Sequence, residues 1–112
     1  MGDCVFCKIV SGGIPSKKVF EDEMILVFHD INPAAPVHVL CVPKIHMESI
    51  NELNISNIGY VSRIFEKMPE IVKSLGISEG YRVVSNVGED GRQSVGHLHF
   101  HILGGRKLGF MG

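Results

Sequence analysis

The chain has 112 residues, enough for one domain with a true hydrophobic core, and we expect a single domain over residues 1–112. Its apolar (45%) and charged (21%) shares are ordinary for a globular protein, and a net charge of −1 with no run of Lys or Arg longer than two argues against a polynucleotide partner. No stretch approaches the ~18 apolar residues of a membrane span, nothing after Met1-Gly2-Asp3 reads as a signal peptide, and three cysteines point to a reducing cytoplasm rather than a disulfide framework.

In chain order, Asp3 is a candidate cap for a short helix from Cys4 to Val10. Phe6, Ile9 and Val10 would form its apolar face. Gly12-Gly13 ends it. Lys18 to Glu21 reads as a strand, Asp22-Glu23 as a turn, and Met24 to Asp30 as the second arm of a hairpin. Pro33 and Pro36 bracket an irregular segment. Val37 to Val42 is nearly all apolar, the pattern of a central strand buried on both faces, and Pro43 closes it.

Ser56 is a candidate N-cap for a longer helix. Ile58, Val61, Ile64, Phe65, Met68, Ile71, Val72 and Leu75 recur at helical spacing as a core-facing stripe, and Gly76 ends the helix. Pro69 lies inside that stretch and predicts a kink or break. Tyr81 to Val87 reads as a strand, with Arg82, Val84 and Asn86 on one face, and Gly88 to Gly91 as a turn. The sum is an α+β, sandwich-like domain: five strands in an antiparallel sheet, one main helix and a short N-terminal helix.

The most informative stretch is His97-Leu98-His99-Phe100-His101-Ile102-Leu103. Histidine alternates with large apolar residues at a period of two, which is a strand pattern. His97, His99 and His101 would share one face, spaced by about 6.6 Å. Leu98, Phe100 and Ile102 would pack in the core. Three imidazoles in five residues are a poor way to solvate a surface. Imidazole can act near neutral pH as base, acid, nucleophile or metal ligand. Directly upstream, Gly91-Arg92-Gln93-Ser94-Val95-Gly96 combines small residues with amide and hydroxyl donors. Backbone N–H groups converging there would cradle an anion, and its place beside the histidines points to phosphate.

This stretch matches the histidine-triad signature, His-φ-His-φ-His-φ-φ. The chain also resembles that family through Phe28-His29-Asp30-Ile31, Pro36-Val37-His38, Pro43-Lys44-Ile45-His46, Gly80-Tyr81-Arg82 and Gly91 to Val95. It is most similar to the nucleoside-phosphoramidase branch. The resemblance implies the histidine-triad fold and a hydrolase of purine nucleoside 5′-phosphoramidates of the adenosine type. It makes His99 the nucleophile that forms a nucleotidyl-histidine, with His101 donating to phosphate oxygens and the His97 carbonyl orienting the His99 ring. His38 stands behind them, and Ser94 assists the departing amine. A purine nucleotide of AMP or GMP type would contact Phe6, Ile9, Phe28, His29, Asp30, Ile31, Asn86, Arg92, Gln93, Ser94 and Val95, beside His99 and His101. Asp30 would hold the ribose hydroxyls. The resemblance also implies a homodimer and no catalytic cofactor. The chain departs from the pattern at Gly96, at Pro69 and in the tail Leu108 to Gly112.

Cys4 and Cys7 form a Cys-x-x-Cys pair. By spacing alone this is ambiguous, because a zinc site needs two more ligands and no finger spacing supplies them. The resemblance implies a structural zinc held by Cys4, Cys7, His46 and the ring of His97. Cys41 reads as core. Two other functions fit the same residues: a dinucleoside polyphosphate hydrolase, and a metal- or nucleotide-binding module without turnover.

Overall fold

The computed structural model describes residues 4–111. The strands are β1 (Lys18–Glu21), β2 (Ile25–His29), β3 (Val37–Pro43), β4 (Tyr81–Val84) and β5 (Phe100–Gly104). They form one antiparallel sheet in the order β1-β2-β3-β5-β4. Two helices flank it, α1 (Val5–Val10) and α2 (Ile58–Ser74). The expected α+β architecture is therefore present. Among the described residues, no helix is long and apolar enough to cross a membrane.

β3 is the central strand, and all of it from His38 to Pro43 is buried, as its apolar run requires. One face of the sheet packs Val27, Val39, Cys41, Phe100 and Ile102 against Ile64, Met68, Ile71 and Val72 of α2. The opposite face packs Leu26, Phe28, Leu40 and Val42 against Phe6 of α1. Period-two alternation assigns each strand residue to one of these layers. The histidines share the second face with α1.

Several boundaries differ from the sequence reading, each for a local reason. Cys4 stands at the N-cap of α1, where its Sγ accepts from the Cys7 N–H at 3.3 Å. Asp3 itself lies outside the described residues. Asn57, not Ser56, stands at the N-cap of α2, and its side chain makes no cap bond there. Asn54 takes over, accepting the Ser56 and Asn57 N–H groups on Oδ1 and the Ile58 N–H on its carbonyl. The helix then runs through Pro69 without a break. Pro69 lies on the exposed face, so the Phe65 carbonyl that loses its partner is available to water. Ile58 and Phe65, read as core, are instead 42% and 47% exposed. At the other end the expected glycine signal holds. Gly76 (φ +73°) donates to the Lys73 carbonyl and Ile77 to the Val72 carbonyl, a Schellman cap.

β4 ends at Val84 rather than Val87, because Ser85 turns its hydroxyl to the His99 carbonyl at 2.8 Å. β5 begins at Phe100 rather than His97. Upstream of it the Leu98 N–H leaves the sheet and donates to the Met47 carbonyl at 2.7 Å. Of the triad only His101 lies in β5, while His97 and His99 belong to the connection before it, yet the alternation persists: Leu98, Phe100 and Ile102 are buried in the α2 layer.

Candidate active site

On the α1 side of the sheet lies a cleft of about 510 Å³. Its apolar lining comes from Val5, Phe6 and Ile9 of α1 with Phe28 and Leu40 of the sheet. Its polar lining includes His99, His101, Asp30 and Ser94. Leu40 faces His101 across the β3–β5 ladder and Phe28 across the β2–β3 ladder, so the register itself places these three side by side.

The hydrogen-bond partners decide which ring nitrogen donates and which accepts in this group. His99 Nδ1 is 2.7 Å from the His97 carbonyl, which can only accept, so Nδ1 carries the proton. That leaves Nε2 of His99 as the ring nitrogen not engaged by the His97 carbonyl. The Ala34 N–H donates to His38 Nδ1 at 3.0 Å, so His38 carries its proton on Nε2. That proton is donated to His101 Nδ1 at 2.9 Å. His101 in turn bears its proton on Nε2. A backbone amide, His38 and His101 therefore form a directed chain that ends in an N–H donor, beside the His99 ring.

Electrostatics agrees with this assignment. Burial pushes the His101 imidazole down to about 4, helped by the neighbouring His99 and His38 rings and opposed by Asp30. Burial also lowers His38, against the pull of the Asp30 carboxylate, whose Oδ2 is 3.5 Å from His38 Nε2. Both rings stay neutral near pH 7, as the chain requires. The other oxygen of Asp30 accepts from the Asn32 N–H at 2.8 Å and fixes the carboxylate at the cleft. Phe6 meets His99 edge to face, with ring centroids 5.0 Å apart, and packs likewise on Phe28 at 5.7 Å.

Behind His99 the ring of His97 turns away from the cleft. Its Nε2–H donates to the Pro43 carbonyl at 3.0 Å, which aims the Nδ1 lone pair at Cys4 Sγ (3.3 Å) and Cys7 Sγ (3.5 Å). His46 Nδ1 lies 3.3 Å from Cys7 Sγ. The four ligand atoms all lie within 4.8 Å of one another. Tetrahedral zinc with its usual bond lengths separates a sulfur from a nitrogen ligand by about 3.5 Å, so the donor set fits a metal of that kind. Partial burial and the adjacent Cys4 raise the Cys7 thiol. A bound divalent metal would reverse that direction. Cys41, by contrast, is fully buried in β3 and burial pushes its thiol up to about 12.

Most of the expected site residues meet at the cleft: Phe6, Ile9, Phe28, His29, Asp30 and Ile31, then Ser94, Val95, His99 and His101. Asn86, Arg92 and Gln93 lie outside its lining. The expected backbone cradle from Gly91 to Gly96 is corrected in part. The Arg92 and Gln93 N–H groups close the turn onto the Glu89 and Gly88 carbonyls. The Gln93 amide is spent internally, donating to the Glu48 and Val95 carbonyls and accepting from the Gly88 N–H. Gly91 packs so close to the Val87 backbone that no Cβ fits, and Arg92 adopts φ +62°. The turn's role is to present Ser94 and Val95. Sequence reasoning missed Val5, the segment from Ile14 to Lys17, Leu40 and Ser85. Only Leu40 carried a signal, since it becomes visible once the strand register is known.

The sequence from residue 3 to 110 matches the family model for the scavenger mRNA decapping enzyme C-terminal binding domain. Protein HitA of Neisseria gonorrhoeae is 41% identical over 104 residues, covering 93% of this chain and 97% of that one. Among solved structures, a HIT family hydrolase from Clostridium thermocellum superposes with a TM-score of 0.95 at 44% identity, covering 99% of this chain and 97% of that one. A histidine triad protein from Clostridium difficile gives 0.94 at 46% identity, covering 100% and 98%. With the signature embedded in the same fold over nearly its whole length, the chain belongs to the histidine-triad family and is a hydrolase-like member of it.

Proposed function

We propose that the protein hydrolyses purine nucleoside 5′-phosphoramidates of the adenosine type, through a nucleotidyl intermediate on His99. The observation that carries this reading is the contact of His99 Nδ1 with the His97 carbonyl at 2.7 Å, which commits Nδ1 to donating and leaves Nε2 as the ring atom for attack. His99 Nε2 attacks the α-phosphorus, the P–N bond breaks, and the amine leaves with a proton relayed from solvent through the Ser94 hydroxyl. Water then attacks the same phosphorus and gives its proton back to solvent, the P–Nε2 bond breaks, and nucleoside monophosphate is released with the Nε2 lone pair restored. His101, held neutral with Nε2–H outward, donates to the oxygens on which charge develops. Phe6, Ile9, Phe28 and Ile31 form the slot for the base, and Asp30 accepts from the ribose hydroxyls.

We further propose that Cys4, Cys7, His46 and His97 hold a structural zinc ion, which cross-links the α1 end of the chain to the segments that follow β3 and precede β5 and touches no substrate. The reaction needs no catalytic cofactor. The outer edge of β4, with Tyr81 and the nearby apolar surface of α2 exposed, suits pairing with a second copy of the chain.

Steady-state turnover tests the reaction. An adenosine 5′-phosphoramidate should give a higher kcat/KM than diadenosine polyphosphates. The reverse order would assign the protein to dinucleoside polyphosphate hydrolysis, and no turnover of either would leave a binding module.

A further inference from the structure

His97 faces two ways. Its ring belongs to the four-ligand cluster, and its backbone carbonyl holds the proton of His99. The cluster itself has two unequal halves. His46 and His97 sit on a rigid frame: their rings meet edge to face at 5.0 Å, the Leu98 N–H donates to the Met47 carbonyl, and the His97 ring donates to the Pro43 carbonyl. Cys4 caps α1 and Cys7 sits on it, a helix of six residues with one buried side chain, Phe6. Isolated helices below about 12–15 residues are marginal in water, so α1 depends on what it docks against. Closing the cluster is therefore the docking of α1 onto a preformed pair of histidines.

That docking builds the cleft. Val5, Phe6 and Ile9, half of the six residues of α1, line it, and Phe6 packs on both His97 and His99. We infer that metal occupancy of the Cys4–Cys7–His46–His97 cluster is coupled to nucleotide binding: the bound metal fixes α1 and His97 in the arrangement that accepts nucleotide, and bound nucleotide tightens the hold on the metal. This rests on the reading of the cleft as a nucleotide site. A purely architectural metal would raise melting temperature and leave nucleotide affinity of the folded protein unchanged. Coupling between sites is reciprocal by necessity.

The test uses the full chain, zinc-loaded and zinc-stripped, at a temperature where circular dichroism shows both folded. Calorimetric titration with adenosine 5′-monophosphate should give affinity about 10-fold or more weaker in the stripped form, within the usual range of coupled sites. Zinc addition should restore it. Chelator competition should show zinc held tighter, by the same factor, when the monophosphate is saturating. Equal monophosphate affinity in the two folded forms overturns the inference while leaving the nucleotide reading intact. Loaded protein that binds no monophosphate overturns the nucleotide reading, and the coupling with it. Should stripping unfold the chain, cobalt(II) replaces zinc: its thiolate charge-transfer bands should shift on saturation with monophosphate, and bands that do not move overturn the inference.

Discussion

Replacing Phe6 with Ala removes the residue on which helix, cleft and nucleophile converge. The ring is 6% exposed and touches Phe28, His97 and His99 edge to face. Burying an aromatic ring removes about 150–250 Å² from water, or about 4–6 kcal/mol as an upper bound at ~25 cal/mol/Å². Phe6 borders an open cleft, so water can fill part of the hole, and we expect a loss of about 3 kcal/mol, at the low end of Phe→Ala changes in cores. For a chain of this size that lowers Tm by roughly 12 °C, taking about 4 °C per kcal/mol. The assay is thermal unfolding of metal-replete protein followed by circular dichroism, with Phe6→Leu as the partner variant. Leu restores most of the apolar area and should recover most of the Tm, but not the edge-to-face packing on His99, so nucleotide affinity should recover less. A Tm drop below about 4 °C for Phe6→Ala would refute the claim that this ring anchors α1.

Asp30→Ala should weaken nucleotide binding and abolish discrimination between ribose and 2′-deoxyribose, because an acceptor carboxylate fixed at the cleft rejects an analogue lacking its partner hydroxyl. Equal turnover of ribo and deoxy substrates by the wild-type protein would count against that role. Stability should fall as pH drops from about 6.5 toward about 4. His38 and His101 have lowered values when folded, so over that window the unfolded chain binds protons that the folded chain refuses, and stability rises with pH. Urea titrations at pH 7, 5.5 and 4.5 check the sign, and a flat profile contradicts it. Gly91→Ala should destabilise the turn that presents Ser94, since any Cβ there collides with the Val87 backbone; an unchanged Tm would show that the turn can yield.

Much of the fold is legible in local chemistry, and the misses have physical causes. The continuous apolar run of β3 and the stripe of Ile64, Met68, Ile71 and Val72 report burial directly, the first on both faces of the sheet and the second on one face of α2. Pro69 does not end α2, because the carbonyl that loses its partner lies on the exposed face, where water can take the bond. The break between His99 and Phe100 is invisible in the sequence: alternation continues while the hydrogen bonds change partner, from a strand to the Met47 carbonyl. The Cys and His ligands are legible individually. Their meeting depends on that same long-range bond, and no spacing rule encodes it. Gln93 reads as a free donor, but its amide is consumed by two carbonyls that a sequence cannot place nearby.

The central claim is that His99 Nε2 attacks phosphorus. Rapid quenching of wild-type protein with an adenosine 5′-phosphoramidate, followed by peptide mass spectrometry, measures it most directly. The account predicts an adenylyl adduct on His99, absent from His99→Gly, which should still bind adenosine 5′-monophosphate yet turn over almost no substrate. An adduct on another residue, or near-normal turnover by the His99 variant, would contradict it.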